Sequence, residues 1–495
     1  MRVATLEKPR PGCELRTMLF DSPIYFAFLI PVVLVYWRLD HRAQNIFLLI
    51  ASYVFYGWWD WRFLGLMIAS TSVDYLVAQK MSQDCPAANR KRWLIFSLVW
   101  NLTILGIFKY FDFFAGSFVG ALDQLGIHDI PLVLLRVVLP PGISFYTFEE
   151  IAYVVDVYRG KIPAAASYVD YAFFISFFPH LIAGPIQRPS QLLPQVQNAR
   201  TFDARECFDG MMLIFSGLIR KCVVADSCAL LANAAFGGQF GAPSLWTVVI
   251  GTYAFAWQVY GDFSGYSDIA RGCAQLMGFH LVVNFRQPFL AARFQDFWHR
   301  WHISLSAWLR DYLFIPLGGS ARHNRWKTVR NLVVTMVLAG LWHGANWTFV
   351  AFGAIHGILL AVERYLFPAR AKAGRAAQFH QLAGFFSLWG QRILVFNILC
   401  LSLAMFRAPS LEGAVHFLSG LSNVSWRPEY LSAFLMLCAF SLPLFVVDLL
   451  QEASGEEYVF ASAPYAVRTG IGAFALVVLA LFSGSNPNAF VYFQF

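Results

Sequence analysis

Residues 331–367 read NLVVTMVLAGLWHGANWTFVAFGAIHGILLAVERYLF, and this stretch decides the class of fold. Runs of about 18 or more apolar residues are candidates for crossing a bilayer. Such runs recur from near residue 19 to near residue 484. Of the 495 residues, 58% are hydrophobic and only 13% are charged, against roughly 25% charge in soluble domains. The chain reads as an all-α, polytopic integral membrane protein. It is expected to form one helical membrane domain from 18 to 495 after a polar tail, 1–17, with no polar stretch long enough for a further soluble domain.

The quoted stretch holds two copies of Gly-x-x-His-Gly, Gly340 to Gly344 and Gly353 to Gly357. Glycines four apart let helix backbones approach closely in lipid. On a continuous helix the offset between His343 and His356 turns ~220°, so the two share no face unless the helix breaks. Each histidine is either a hydrogen-bonded packing residue or a functional group, because ionisable side chains inside a membrane are costly and tend to face an interior.

Upstream, residues 296–311 (DFWHRWHISLSAWLRD) interrupt the apolar sequence with histidines, arginines, aspartates and tryptophans. At helical spacing Trp301, Leu305, Trp308 and Tyr312 share one stripe, and His302, Ser306 and Arg310 share the next. An interfacial helix with an aromatic belt and snorkelling arginines explains this composition without any chemistry. The flanking 279–330 region carries many basic residues against two acids, Asp296 and Asp311. That places its loops on the cytoplasmic side, facing either lipid headgroups or a phosphate-bearing donor.

The rest of the chain follows the same logic. Residues 1–17 lack the apolar core of a signal peptide, and translation is expected to start at Met18, which opens the first span. Residues 45–78 are too few for two full spans and a turn, so short, tilted or re-entrant helices are expected around 58–62. A clean span near 93–118 follows. Pro140-Pro141-Gly142 should break the helix, leaving Glu149, Glu150 and Asp156 in an apolar run where each carboxylate costs ~2.5–3.5 kcal/mol unless it faces an interior. Further spans are expected near 168–186, 208–233, 245–270, 385–406, 429–450 and 466–484. The span at 245–270 ends on Asp262-Phe263-Ser264-Gly265-Tyr266-Ser267-Asp268, again calling for a polar lining.

The formal charge of +8 lies in short clusters between apolar segments, the pattern of cytoplasmic loops rather than of nucleic-acid binding. The eight cysteines are scattered, without a Cys-x-x-Cys pair, and read as small buried hydrophobes. No Gly-x-Ser-x-Gly elbow, Walker loop or His-Glu-x-x-His motif is present. No metal is expected, since His299 and His302 would need further ligands that spacing does not identify.

Several blocks together resemble the membrane-bound O-acyltransferase family, in its alginate O-acetylation branch. They are Pro141 to Phe148 (PGISFYTF), Asp262 to Asp268 (DFSGYSD), Trp301 to Tyr312 (WHISLSAWLRDY), Ile315 to Gly319 (IPLGG) and Gly340 to Gly344 (GLWHG). Gly261 stands where the resemblance leads one to expect an aromatic. The resemblance implies a helical bundle with re-entrant segments around a transmembrane tunnel. It makes His343 the catalytic candidate and His302 its partner, with Asp262, Ser264, Trp301, Ser306, Arg310, Asp311 and Trp342 as candidates along the substrate and donor path. No bound cofactor is implied. The co-substrate would be acetyl-CoA or another acyl thioester, and the acceptor an alginate-like exopolysaccharide, cellulose or peptidoglycan. The implied setting is the bacterial inner membrane, among lipids, with a periplasmic SGNH-type acetyltransferase or other polysaccharide-modification proteins as partners. A polysaccharide or lipid transporter and a non-catalytic assembly partner are the competing classes. Transporters often show duplicated halves, and only the short Gly-x-x-His-Gly pair repeats here.

Overall fold

The computed structural model describes residues 18–82, 85–128, 131–321, 324–366, 381–459 and 463–482, with 381–385 in backbone only. The expected tail, residues 1–17, lies outside these residues. Among the described residues the regular structure is helical throughout, without strands. Among the described residues five helices are long and apolar enough to cross a membrane, as expected for a multi-pass membrane protein. No residue of the helix Tyr465–Phe482 is fully buried, and Phe474 and Leu481 stand about 70% exposed. Lipid is the environment in which such a surface is stable. The chain groups into two compact units, one of residues 1–108, 138–214 and 269–281, the other of 109–137, 215–268 and 282–495.

The first unit contains Pro23–Tyr36 and then two helices, His41–Trp59 and Trp61–Lys80, of 19 and 20 residues. Of the short, tilted or re-entrant helices expected around 58–62, these lengths correct the expectation of short ones. Each helix begins or ends in polar residues beyond the apolar window, and Asp60 alone makes the turn. Its carboxylate accepts from the Arg62 amide at 2.9 Å and pairs with the Arg62 guanidinium. Those bonds hold the Asp60 carboxyl below the usual carboxylate range.

Pro140-Pro141-Gly142 does break the chain: Gly142 adopts φ 73° and the helix Ile143–Tyr158 starts after it. Glu149, Glu150 and Asp156 on that helix are all buried. Ser70 and Thr71 donate to Glu150 at 2.7 and 3.0 Å. Glu149 takes the Gln187 amide at 2.7 Å and lies 3.0 Å from His180 Nε2. Asp74 accepts from Ser97 and Asn101 at 2.6 and 2.7 Å. The buried carboxylates of Asp74, Glu149 and Glu150 are thus each hydrogen-bonded, as burial demands.

The expected span at 168–186 is instead a helix of nine residues, Tyr168–Ser176, and a short turn at Phe178–Leu181. Phe177 is outside helical geometry and the Phe178 amide donates to Ser52 Oγ at 3.1 Å. Phe173, Phe174, Phe177 and Phe178 are fully buried. The segment is apolar because it is core, not because it faces lipid.

In the second unit, the helices Arg325–His343 and Trp347–Leu366 form an antiparallel hairpin. Its glycines permit the contact: a Cβ on Gly340 would lie 2.1 Å from the Phe349 carbonyl oxygen, and one on Gly353 2.2 Å from that of Met336. The helices Gln381–Arg407, Glu429–Ser454 and Tyr465–Phe482 match the spans expected at 385–406, 429–450 and 466–484, with the short helix Leu411–Ser419 between the first two.

Candidate active site

The stretch 296–311 is not one helix. It is the helix Phe294–Arg300, a break at Trp301-His302, the helix Ile303–Leu309 and a wider π turn, Arg310–Phe314. The continuous stripe through Trp301 and His302 is thus corrected, although Trp308 and Tyr312 still pair at 5.1 Å between ring centres. His302 sits at φ 42°, ψ 54°, a left-handed conformation uncommon for a side chain with a Cβ.

Neighbouring groups enforce the break. The Arg286 amide donates to the Arg300 carbonyl at 2.9 Å, and the Ile303 amide to that of Asn284 at 3.0 Å. The buried Asn284 side chain then accepts from the Ser304 amide and hydroxyl at 3.2 and 2.9 Å, capping the second helix. Glu363 accepts from the Phe294 and Gln295 amides at the start of the first helix. Arg300 pairs with Glu452 at its end, 2.6 Å away. These contacts replace helical bonds that the break forfeits.

The other half of the site comes from the hairpin. The helix beginning at Arg325 stops at His343, and the next begins at Trp347. That break sends the two Gly-x-x-His-Gly histidines to different neighbours. His343 lies 6.1 Å from His302 and 5.4 Å from Phe406 between ring centres. Trp342 lies 5.8 Å from His302 and packs edge-on against His343 at 5.1 Å. His356 faces Ser402 at 3.0 Å. Since the Ser402 hydroxyl donates to the Leu399 carbonyl, the imidazole Nε2 is the donor in that pair.

His343 and Trp301 also line a cavity of about 20 Å³ with Phe297, Trp298, Phe352 and Phe406, room for about one water-sized group. His302 and His356 are fully buried and His343 is 5% exposed. The arrangement is two buried imidazoles close together in a largely aromatic enclosure. Such a place lets a base and an orienting group act on one reacting atom.

The sequence pattern of the membrane-bound O-acyltransferase family matches residues 67–406. The chain belongs to the membrane-bound O-acyltransferase family. It is thereby an O-acyltransferase of the membrane. It is 43% identical over 351 residues to the probable alginate O-acetylase AlgI of Azotobacter vinelandii, covering 70% of this chain and 69% of that one. It is 36% identical over 440 residues to a peptidoglycan O-acetyltransferase of Helicobacter pylori, covering 82% and 80%. A teichoic acid D-alanyltransferase of Streptococcus thermophilus is 28% identical over 298 residues, covering 54% and 70%.

Of the residues singled out in this acyltransferase, the structure brings together His302, His343, Trp342 and Trp301. Ser306 is near the break, its hydroxyl donating to the Trp301 carbonyl at 3.4 Å. Arg310 and Asp311 form an exposed ion pair at 2.7 Å. Asp262 and Ser264 belong to another cluster, in which Asp262 pairs with buried Lys221 at 3.0 Å and Ser264 accepts from Arg220 at 3.3 Å. Gly261 has a physical reason there: a Cβ would lie 2.8 Å from the Arg220 carbonyl oxygen, leaving no room for an aromatic.

Sequence reasoning missed Asn284, Glu363 and Lys109. Lys109 carried a signal, a lone cation inside the apolar 93–118 run, and such residues mark interior contacts. Among the described residues no cluster of three or more His, Cys, Asp or Glu side chains is arranged to hold a metal.

Proposed function

We propose that this acyltransferase moves an acetyl group from a cytoplasmic thioester, acetyl-CoA or a close equivalent, to an acceptor at the outer face of a bacterial inner membrane. The product is O-acetylation of an exopolysaccharide of the alginate kind. The observation that carries the reading is the approach of His302 to His343 beside an aromatic cavity. A hydroxyl at neutral pH is a weak nucleophile. His343 takes its proton as it attacks the thioester carbon, and the thiol departs with a proton. Such general-base catalysis contributes ~10²–10⁴-fold. His302 orients His343 or the reacting group from the other side. The similarity to alginate O-acetylases supports the acceptor class, and a periplasmic SGNH-type acetyltransferase is the partner expected to complete delivery. The basic 279–330 region suits a cytoplasmic, phosphate-bearing donor.

A second acceptor, peptidoglycan, is favoured by the Helicobacter relative, whose similarity covers more of this chain. Ester-linked acetate on purified exopolysaccharide and on peptidoglycan, with and without the protein, separates the two. His343→Ala should abolish the acetate at unchanged protein level. Full acetylation in that variant would overturn the catalytic reading and return the field to a transporter or an assembly partner.

A further inference from the structure

The last carbonyls of a helix have no partner inside it, and in a membrane interior such groups are expensive. The helix Arg325–His343 ends inside the second unit, and of its terminal carbonyls that of Gly340 is taken locally, by the Gly344 amide. Those of Leu341, Trp342 and His343 are met by two consecutive residues from elsewhere. Tyr110 Oη donates to the Leu341 carbonyl at 3.1 Å. Lys109 Nζ donates to the Trp342 carbonyl and lies 3.4 Å from that of His343. The same ammonium stands 5.7 Å from the Trp342 ring centre.

Lys109 and Tyr110 close a π-helical turn, Gly106–Tyr110, within an otherwise α-helical segment. π turns inside α-helices are rare and often sit at functional sites. A lysine at a helix C-terminus meets both the free carbonyls and the negative end of the helix dipole. Its three N–H donors suit a fan of carbonyls better than a planar group would.

We propose that Lys109, assisted by Tyr110, is a positioning residue for the reaction, fixing the helix end that carries Trp342 and His343. This rests on the reading of His343 as the base. Lys109 holds the backbone at which His343 leaves the helix, so its loss lets the imidazole drift while the donor site stays intact. The effect therefore falls on turnover rather than on donor binding, because a small misplacement of a catalytic group is felt in the chemical step.

The test uses inside-out membrane vesicles from cells carrying the complete acetylation system, with acetyl-CoA varied and acetyl ester formation measured. Lys109→Met should lower kcat at least tenfold and leave the KM for acetyl-CoA within twofold. Lys109→Gln, which keeps an N–H donor without the charge, should fall between it and the parent. Tyr110→Phe should cost about threefold, and it carries the test if Lys109→Met does not accumulate. A parent-like kcat in Lys109→Met, a rise in KM alone, or a loss explained entirely by less folded protein would overturn the proposal. So would parent-like turnover in Tyr110→Phe where it is the variant tested. His343→Ala runs alongside: if it stays active, the reading of the base fails, whereas an inactive His343→Ala with a parent-like Lys109→Met removes only the role of Lys109.

Discussion

His302 and His343 stand 6.1 Å apart between ring centres, His302 where the helix Ile303–Leu309 starts and His343 where the helix Arg325–His343 stops. A residue on a helix flank points where the helix directs it, whereas one at a break is aimed by its own backbone angles. His302 accepts a left-handed conformation for that placement, at a cost of roughly 1–2 kcal/mol for a residue with a Cβ.

That cost gives the first prediction. His302→Ala and His302→Gly should both lose most acetylation, measured as ester-linked acetate per protein. His302→Gly should nonetheless melt above His302→Ala in detergent, by the equivalent of about 1 kcal/mol, because glycine relieves the left-handed strain. Near-normal acetylation in His302→Ala would make the ring a packing group.

The two Gly-x-x-His-Gly copies should separate by function. His356 is fully buried, donates to Ser402 and packs against Phe352 at 4.5 Å. Its loss removes about one hydrogen bond, ~1 kcal/mol, and Ser402 keeps its own bond to Leu399. His356→Leu should therefore acetylate within about fivefold of the parent while melting earlier. A loss as deep as that of His343→Ala would give His356 a part in the chemistry.

What the sequence made legible follows from the kind of force that records itself there. The membrane class, the break at Pro140 to Gly142 and the glycine-lined hairpin rest on local rules about lipid, proline and close approach. The break at His302 was hidden because the bonds that enforce it come from Asn284, Arg286, Glu363 and Glu452, all away from it in the chain. Residues 168–186 misled because an apolar run reads the same whether aromatic core or lipid surrounds it. Asp262 and Ser264 shared a motif with no obvious second partner, and only the fold revealed Lys221 and Arg220 beside them.

The hairpin offers a test of close approach. Gly340 and Gly353 face carbonyls at distances no Cβ tolerates, so the two helices must move apart to admit even alanine. Gly340→Ala should destabilise by about 1–3 kcal/mol, seen as a lower melting temperature in detergent. Acetylation should fall with it, since His343 ends the same helix. An unshifted melting temperature would show that the helices do not pack this tightly.

Asp262 and Lys221 give the last prediction. Both side chains are 2% exposed and their charges are 3.0 Å apart, with Asp226 also 3.0 Å from the lysine. Removing Lys221 strands the Asp262 carboxylate, at about 3–5 kcal/mol, whereas removing the Asp262 charge leaves the lysine paired with Asp226. Lys221→Met should reduce the amount of folded protein sharply, and Asp262→Asn should do so less. The double variant leaves one stranded carboxylate fewer than Lys221→Met, so it should be more stable than the two single losses added together, with a coupling of about 0.5–3 kcal/mol. What remains folded should turn over at close to the parent rate, because the pair lies outside the residues gathered around His302 and His343. If Asp262→Asn folded normally and lost turnover, the carboxylate would belong on the substrate path after all. Additive losses in the double variant would show instead that each charge is held mainly by other neighbours.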